Sequence, residues 1–237
     1  MTSLADQDLD QLGGPLSILT RQKRDHERLD RLLKRLAHSS PGAEEEAALH
    51  AIARLVFPHA FAEESVLWPE ARRVLPDGEA LTLQVEQEHQ EVNELVTRLD
   101  GEGLDPSERR HLLDRLVTVL REDVRDEEDA LLPGLQTQLS VRQLRRLGVA
   151  WELVRRTAPT RPHPVVSRRP PGNALAALPL TVLENLRDLC EVTAHRSPRW
   201  APALGSASHS LAHDAARVER LRGLRRGERP TTKIENR

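Results

Sequence analysis

Apolar residues recur along this chain at helical rather than strand intervals. Leu19, His26, Leu29, Leu33 and Leu36 share one stripe of a segment spanning roughly 16–37, in steps of three, four and seven that line one face of an α-helix. A second stripe (Ile52, Val56, His59, Glu63, Leu67) predicts a helix over roughly 43–68. A third (Val85, His89, Val92, Val96, Leu99) predicts one over roughly 79–100. A fourth (Leu113, Leu116, Leu120, Asp123, Glu127, Leu131) predicts one over roughly 106–132. Ser39-Ser40-Pro41-Gly42 and Pro76-Asp77-Gly78 punctuate the pattern, and Asp105-Pro106 with Glu108 is a helix start signal. Four helices of similar length joined by short loops predict an all-α fold, an antiparallel up-down-up-down four-helix bundle. Pro58 inside the second helix removes one backbone bond beside His59, which predicts a kink or bulge there.

The stripes also repeat. His59-Ala-Phe-Ala-Glu63-Glu64-Ser-Val-Leu67-Trp68-Pro69 returns 64 residues later as Asp123-Val-Arg-Asp-Glu127-Glu128-Asp-Ala-Leu131-Leu132-Pro133. Upstream, Asp25-His26 and its leucines match Glu88-His89 and the residues after it, at an offset of 63. The bundle is therefore expected as two copies of one helical hairpin. It is assigned to residues 15–136, after a disordered lead-in over 1–14. A fifth helix is predicted within 137–158, containing Trp151. A Pro-rich linker follows over 159–178, then a C-terminal helical extension over 179–225 and a mobile tail over 226–237.

Composition narrows the class. Hydrophobic residues make up 38%, charged residues 30% and aromatics only 2%, with no Tyr, which fits amphipathic helices and argues against a β-rich fold. The net charge of −2 gives no reason to expect nucleic acid as a partner. Cys190 stands alone, which excludes an internal disulfide and a thiolate-only metal site. The N-terminal residues lack the basic and apolar regions of a secretory signal. No run approaches the ~20 apolar residues of a membrane span. These features predict a cytoplasmic protein with no membrane partner.

The chemistry lies on the apolar stripes themselves. His26, His59, Glu63, His89, Asp123 and Glu127 all occupy core-facing positions. His59–Glu63 and Asp123–Glu127 are each spaced i,i+4, one turn apart on one face. A single inward His is ordinarily a hydrogen-bonded core residue. Six such residues in register are different, because three buried carboxylates cost several kcal/mol each unless cations compensate them. Nitrogen and oxygen donors without thiolate suit non-haem iron or manganese, with zinc also compatible. Glu64, Glu122, Asp126 and Glu128 fall off the stripes and are expected to be solvated charges. His38, His50 and His111 are expected at the surface or in structural roles. His163, His195, His209 and His213 have no matching partners.

The ordered set His26, His59-x-x-x-Glu63, His89 and Glu127-Glu128 resembles the hemerythrin-like, HHE cation-binding family over roughly 16–135. The region from Pro159 to Pro164 and the later helices look like the C-terminal part of longer bacterial members. The resemblance implies a bridged pair of non-haem iron ions that binds dioxygen, peroxide or nitric oxide. This chain departs from the family pattern twice. It has Asp123 where the fourth-helix motif usually begins with His, and Asn93 where oxygen carriers place a His after the third-helix His. An expected set of three His and three carboxylates is more anionic than that of an oxygen carrier and stabilises the ferric state. Peroxide chemistry of a catalase or peroxidase kind is accordingly expected over reversible oxygen carriage. The alternative is an oxygen, nitric oxide or iron sensor signalling through the C-terminal helices. If Asp123 does not bind, one iron position is weak or the centre is mononuclear.

Overall fold

The computed structural model describes residues 2–101, 103–161, 180–187, 189–190, 193–194 and 197–219. The order of elements is α1 (Ile18–His38), α2 (Ala43–Ala62), α3 (Trp68–Val74), α4 (Gly78–Leu99), α5 (Pro106–Asp126), α6 (Leu132–Gln138) and α7 (Val141–Arg156). Residues 180–187 form a further helix, α8, and Ala201–Glu219 form α9. Among the described residues there is no strand, and no helix is long and apolar enough to cross a membrane. The chain is an all-helical bundle with extra helices beyond it. α1 packs against α2 and α4 against α5, the two hairpins that the repeat predicts.

The core is divided into two parts. One cluster joins Leu29, Leu33, Leu36, Ile52, Val56, Val92, Val96, Leu116 and Leu120, among others. The other joins Leu4, Leu12, Ile18, Leu19, Leu67, Trp68, Val85, Leu131, Leu132 and Trp151. On every bundle helix the suspected site residues fall between these two groups: His26 between Leu19 and Leu29, His89 between Val85 and Val92, and Asp123 and Glu127 between Leu120 and Leu131. A polar layer thus crosses the interior between the two apolar clusters, whose packing fixes its walls.

Two departures from the sequence reading position that layer. The helix runs unbroken through Pro58, and the irregularity comes later. Glu63–Leu67 and Glu127–Leu131 are single π turns, in which Trp68 N–H bonds Glu63 O and Leu132 N–H bonds Glu127 O. Each turn is followed at once by a proline, Pro69 or Pro133, at the start of the next helix. A proline carries no N–H, so it cannot extend the regular i→i−4 ladder at that point. The widened turn upstream is the bulge predicted at His59, moved one turn along and present in both hairpins.

The N-terminal segment expected to be disordered is packed. Leu4 and Leu12 are buried in the second apolar cluster, and Gln136 donates to Gln7 Oε1 at 2.6 Å and to Gln11 O at 2.9 Å. Gly13 and Gly14, at φ 87° and 88°, turn this segment into α1 through a conformation that other residues disfavour. α7 starts from a capping box in which Ser140 and Gln143 each bond the other's backbone N–H. Ser140→Ala should therefore cost about 1 kcal/mol in thermal unfolding of the whole chain. The Pro-rich region from residue 162 and the tail from residue 220 lie outside the described residues.

Candidate metal centre

The six residues singled out from the stripes are all buried and converge in one layer. His59 Nε2 lies 3.0 Å from Glu63 Oε1, and His26 Nε2 lies 3.1 Å from Glu127 Oε2. His89 Nε2 lies 3.4 Å from Asp123 Oδ1 and 3.6 Å from Glu63 Oε2. Despite these distances, both oxygens of Glu63, both of Glu127 and Oδ1 of Asp123 are buried and accept no hydrogen bond. Imidazole nitrogens and carboxylate oxygens crowd one another without aligning. Buried carboxylate oxygens left without donors are the kind of group that a cation would satisfy. Two triads bring one donor atom from each member within 4.8 Å: His26, His59 and Glu127; and Glu63, His89 and Glu127. Glu127 belongs to both.

The far side of each imidazole is also held. His26 Nδ1 is 2.8 Å from Glu128, His59 Nδ1 is 3.2 Å from Asp25, and His89 Nδ1 is 2.9 Å from Glu64. A carboxylate on Nδ1 fixes the tautomer and leaves Nε2 aimed at the centre, as metal-ligating histidines require. Glu64 and Glu128 were expected in solvent. Instead Glu64 is buried and Glu128 half-buried. Glu64 continues the buried line of Phe57 and Ala60, at i−7 and i−4, and Glu128 follows the half-buried Val124, so the inward faces are broader than the single stripe used to place the site. The signal in the sequence was the doubled Glu-Glu of both copies, with Asp25 before His26. Periodicity alone cannot see it.

Electrostatics follow from this packing. Burial alone would lower His26, but Glu127 and Glu128 override it and hold its imidazolium up to about 9. Burial likewise opposes protonation of His59 and His89. Glu63 and Asp25 raise His59 well above the usual range, and Asp123 and Glu64 do the same for His89. Burial, with repulsion from Glu63 and Asp123, lifts Glu127 to about 7. Glu88, the counterpart of Asp25 in the repeat, rises to about 8 through burial, the charge of Asp123 and its bond with Asp126. For Asp25, partners opposing its burial, chiefly His59 and then Arg155, draw the carboxyl below its ordinary value.

Other candidates stay apart. His38, His50, His111, His209 and His213 are exposed, and none joins a metal-capable cluster among the described residues. His163 and His195 lie outside the described residues. Glu122 is exposed beside Arg115, and Asp126 is half-buried and accepts from Gln84. Asn93 is buried and donates to the His89 carbonyl at 2.9 Å. Trp68 stacks on His89 with ring centroids 6.5 Å apart, and Trp151 of α7 meets His59 edge-on at 5.3 Å.

A helical bundle whose core is crossed by imidazole and carboxylate donors, each imidazole braced from outside, defines a cation-binding four-helix-bundle protein. Comparison with known families agrees: the Hemerythrin HHE cation binding domain matches residues 17–135, and the chain belongs to that family. It is 27% identical over 134 residues to an uncharacterized hemerythrin-like protein of Schizosaccharomyces pombe, a stretch covering 56% of this chain and 66% of that protein. No solved structure matches the chain.

Proposed function

We propose that the layer holds two non-haem iron ions and that the protein disproportionates or reduces peroxide. His26, His59, Glu63, His89, Asp123 and Glu127 would hold them, with Glu127 the donor common to both triads. The observation that carries the reading is the space beside them. A cavity of about 20 Å³ is lined by Asp25, His26, His59, His89 and Asp123 together with Leu29, Leu55, Val56, Ala60 and Val124. One water-sized occupant needs about 10–15 Å³, so the pocket suits a molecule of very few atoms. When bound, iron supplies Lewis acidity and a couple that exchanges electrons with peroxide. The protein's part is to hold three imidazoles by their outer nitrogens, to keep bulk water out with the aliphatic wall, and to present an anionic donor set that favours the ferric state. Disproportionation turns two peroxides into two waters and one dioxygen, and so needs no outside reductant.

Elemental analysis of the chain purified without added metal is expected to give about two irons per chain, with dioxygen evolved from added peroxide. Manganese in place of iron would correct the metal but keep the site. Metal content near zero that iron reconstitution cannot raise would overturn the reading.

A second reading, sensing of dioxygen, nitric oxide or iron, is favoured by the contact of Trp151 with His59, which links the site to a helix beyond the four of the bundle. It predicts that metal or ligand changes amide exchange protection in α7. Unchanged protection would exclude it.

A further inference from the structure

We propose that Arg155 of α7 is a positioning residue for His59, acting through Asp25, which makes the fifth helix a working wall of one metal position. The inference rests on His59 being a ligand, as argued above. Arg155 Nη1 approaches Asp25 Oδ2 to 3.7 Å, and the same oxygen lies 3.2 Å from His59 Nδ1. The chain of contacts therefore runs guanidinium, carboxylate, imidazole, with Nε2 of that imidazole facing the centre.

Arg155 is itself held on several sides. Its guanidinium lies over the Trp151 ring at 5.2 Å, and Nη2 reaches Glu152 at 3.1 Å. Glu152 is tied to α1 by Arg21 at 2.9 Å. Trp151 is fully buried, and its edge meets the His59 ring at an interplanar angle of 86°. One helix turn of α7 thus fixes the His59 ring from the side, through Trp151, and from behind, through Arg155 and Asp25. The helix cannot shift to relax this. A Cβ on Gly148 would meet Leu16 O at 2.1 Å and Ile18 N at 2.7 Å, so α7 lies directly on the backbone at the start of α1.

The other hairpin is built differently at this point. Glu88, at the position equivalent to Asp25, lies among Asp123, Asp126 and His89, and the brace on His89 Nδ1 comes from Glu64 instead. The two halves of the layer are therefore supported differently, and removing the α7 contact should affect one metal position and spare the other.

The test uses the full chain, stripped and titrated with ferrous iron under anaerobic conditions, with thermal unfolding of the stripped form as the control for fold. Arg155→Ala is expected to weaken one of two iron positions about 10- to 100-fold, the usual effect of removing an outer partner of a ligand. The other position should stay within about threefold of wild type by the same standard, with little change in the stripped protein's melting temperature. Arg155→Lys, which keeps the charge, should restore most of the loss. Gly148→Ala, which lifts α7 without touching a charged group, should reproduce it. In the zinc-loaded chain, the His59 Nδ1 proton should exchange slowly with solvent in wild type and quickly in Arg155→Ala, with His89 unchanged. Wild-type loading of both positions by Arg155→Ala would overturn the proposal. Equal weakening of both positions together with a lower melting temperature would do the same, because it would reduce Arg155 to a structural contact. A wild-type chain that takes up no iron, manganese or zinc would instead defeat the metal reading itself, and this inference with it.

Discussion

Replacing Glu127 with Ala is expected to abolish loading of both metal positions while leaving the chain folded. Glu127 is the member common to the two donor triads, so its loss removes a donor from each. Loss of an outer partner typically costs 10- to 100-fold in affinity, and loss of a shared donor should exceed ~100-fold at both positions. Stability of the metal-free chain should move the other way. Burial and the charges of Glu63 and Asp123 hold Glu127 up to about 7, so at pH 8 its carboxylate is ionised at a cost. Glu127→Gln keeps the shape and removes the charge, and should stabilise the metal-free chain by on the order of 1–3 kcal/mol at that pH. Opposite shifts in affinity and stability would mark a side chain retained for chemistry rather than for folding. A metal-free melting temperature that falls in Glu127→Gln, or two irons retained in Glu127→Ala, would contradict the arrangement described here.

The second large effect is on pH. In the metal-free chain His26 is raised from its ordinary 6.5 to about 9, and Glu127 from 4.5 to about 7. In both cases the folded state binds the proton more tightly than the unfolded state. Their contribution to stability is therefore complete below the unfolded values and is lost as pH rises through the folded ones. The metal-free melting temperature should fall between pH 6 and 9, His26 alone accounting for on the order of 3 kcal/mol. Metal binding must expel these protons, so affinity should rise over the same window, about tenfold per pH unit for each proton released. Melting curves recorded with and without manganese, which avoids ferric hydrolysis, should diverge as pH increases. Curves that stay parallel from pH 6 to 9 would show that the imidazoles and Glu127 do not exchange protons for metal.

The four bundle helices and the burial of the six stripe residues were legible in the sequence, because core-facing stripes and their repetition are local properties of a 3.6-residue period; Asp123 is the one of the six that neither donor triad includes. What escaped was whatever breaks that period or comes from elsewhere in the chain. Glu64 and Glu128 lie on inward faces broader than one stripe, which take in Phe57, Ala60 and the half-buried Val124, and the π turns beside them leave no mark in the periodicity. Pro58 attracted attention that belonged to Pro69 and Pro133, since a proline's effect depends on which carbonyl its missing N–H would have met. Leu4 and Leu12 are isolated anchors in a polar stretch and carry no periodicity. Trp151 and Arg155 sit on a helix with a narrow buried stripe of Leu144, Gly148 and Trp151, and nothing in that stripe says what it covers.

The braces on the imidazoles also bear on the order in which the molecule assembles. Asp25–His59 joins helices of one hairpin across 34 residues, but Glu64–His89 ties the first hairpin to the second, and His26–Glu128 spans 102 residues of chain. Glu64 and His89 are only 25 residues apart, fewer than the 34 between Asp25 and His59, while His26–Glu128 closes by far the longest loop and carries the largest closure entropy. Neither hairpin alone carries a full set of oriented imidazoles. Docking of one hairpin on the other completes the donor set, and metal uptake during refolding is expected to report on that docking.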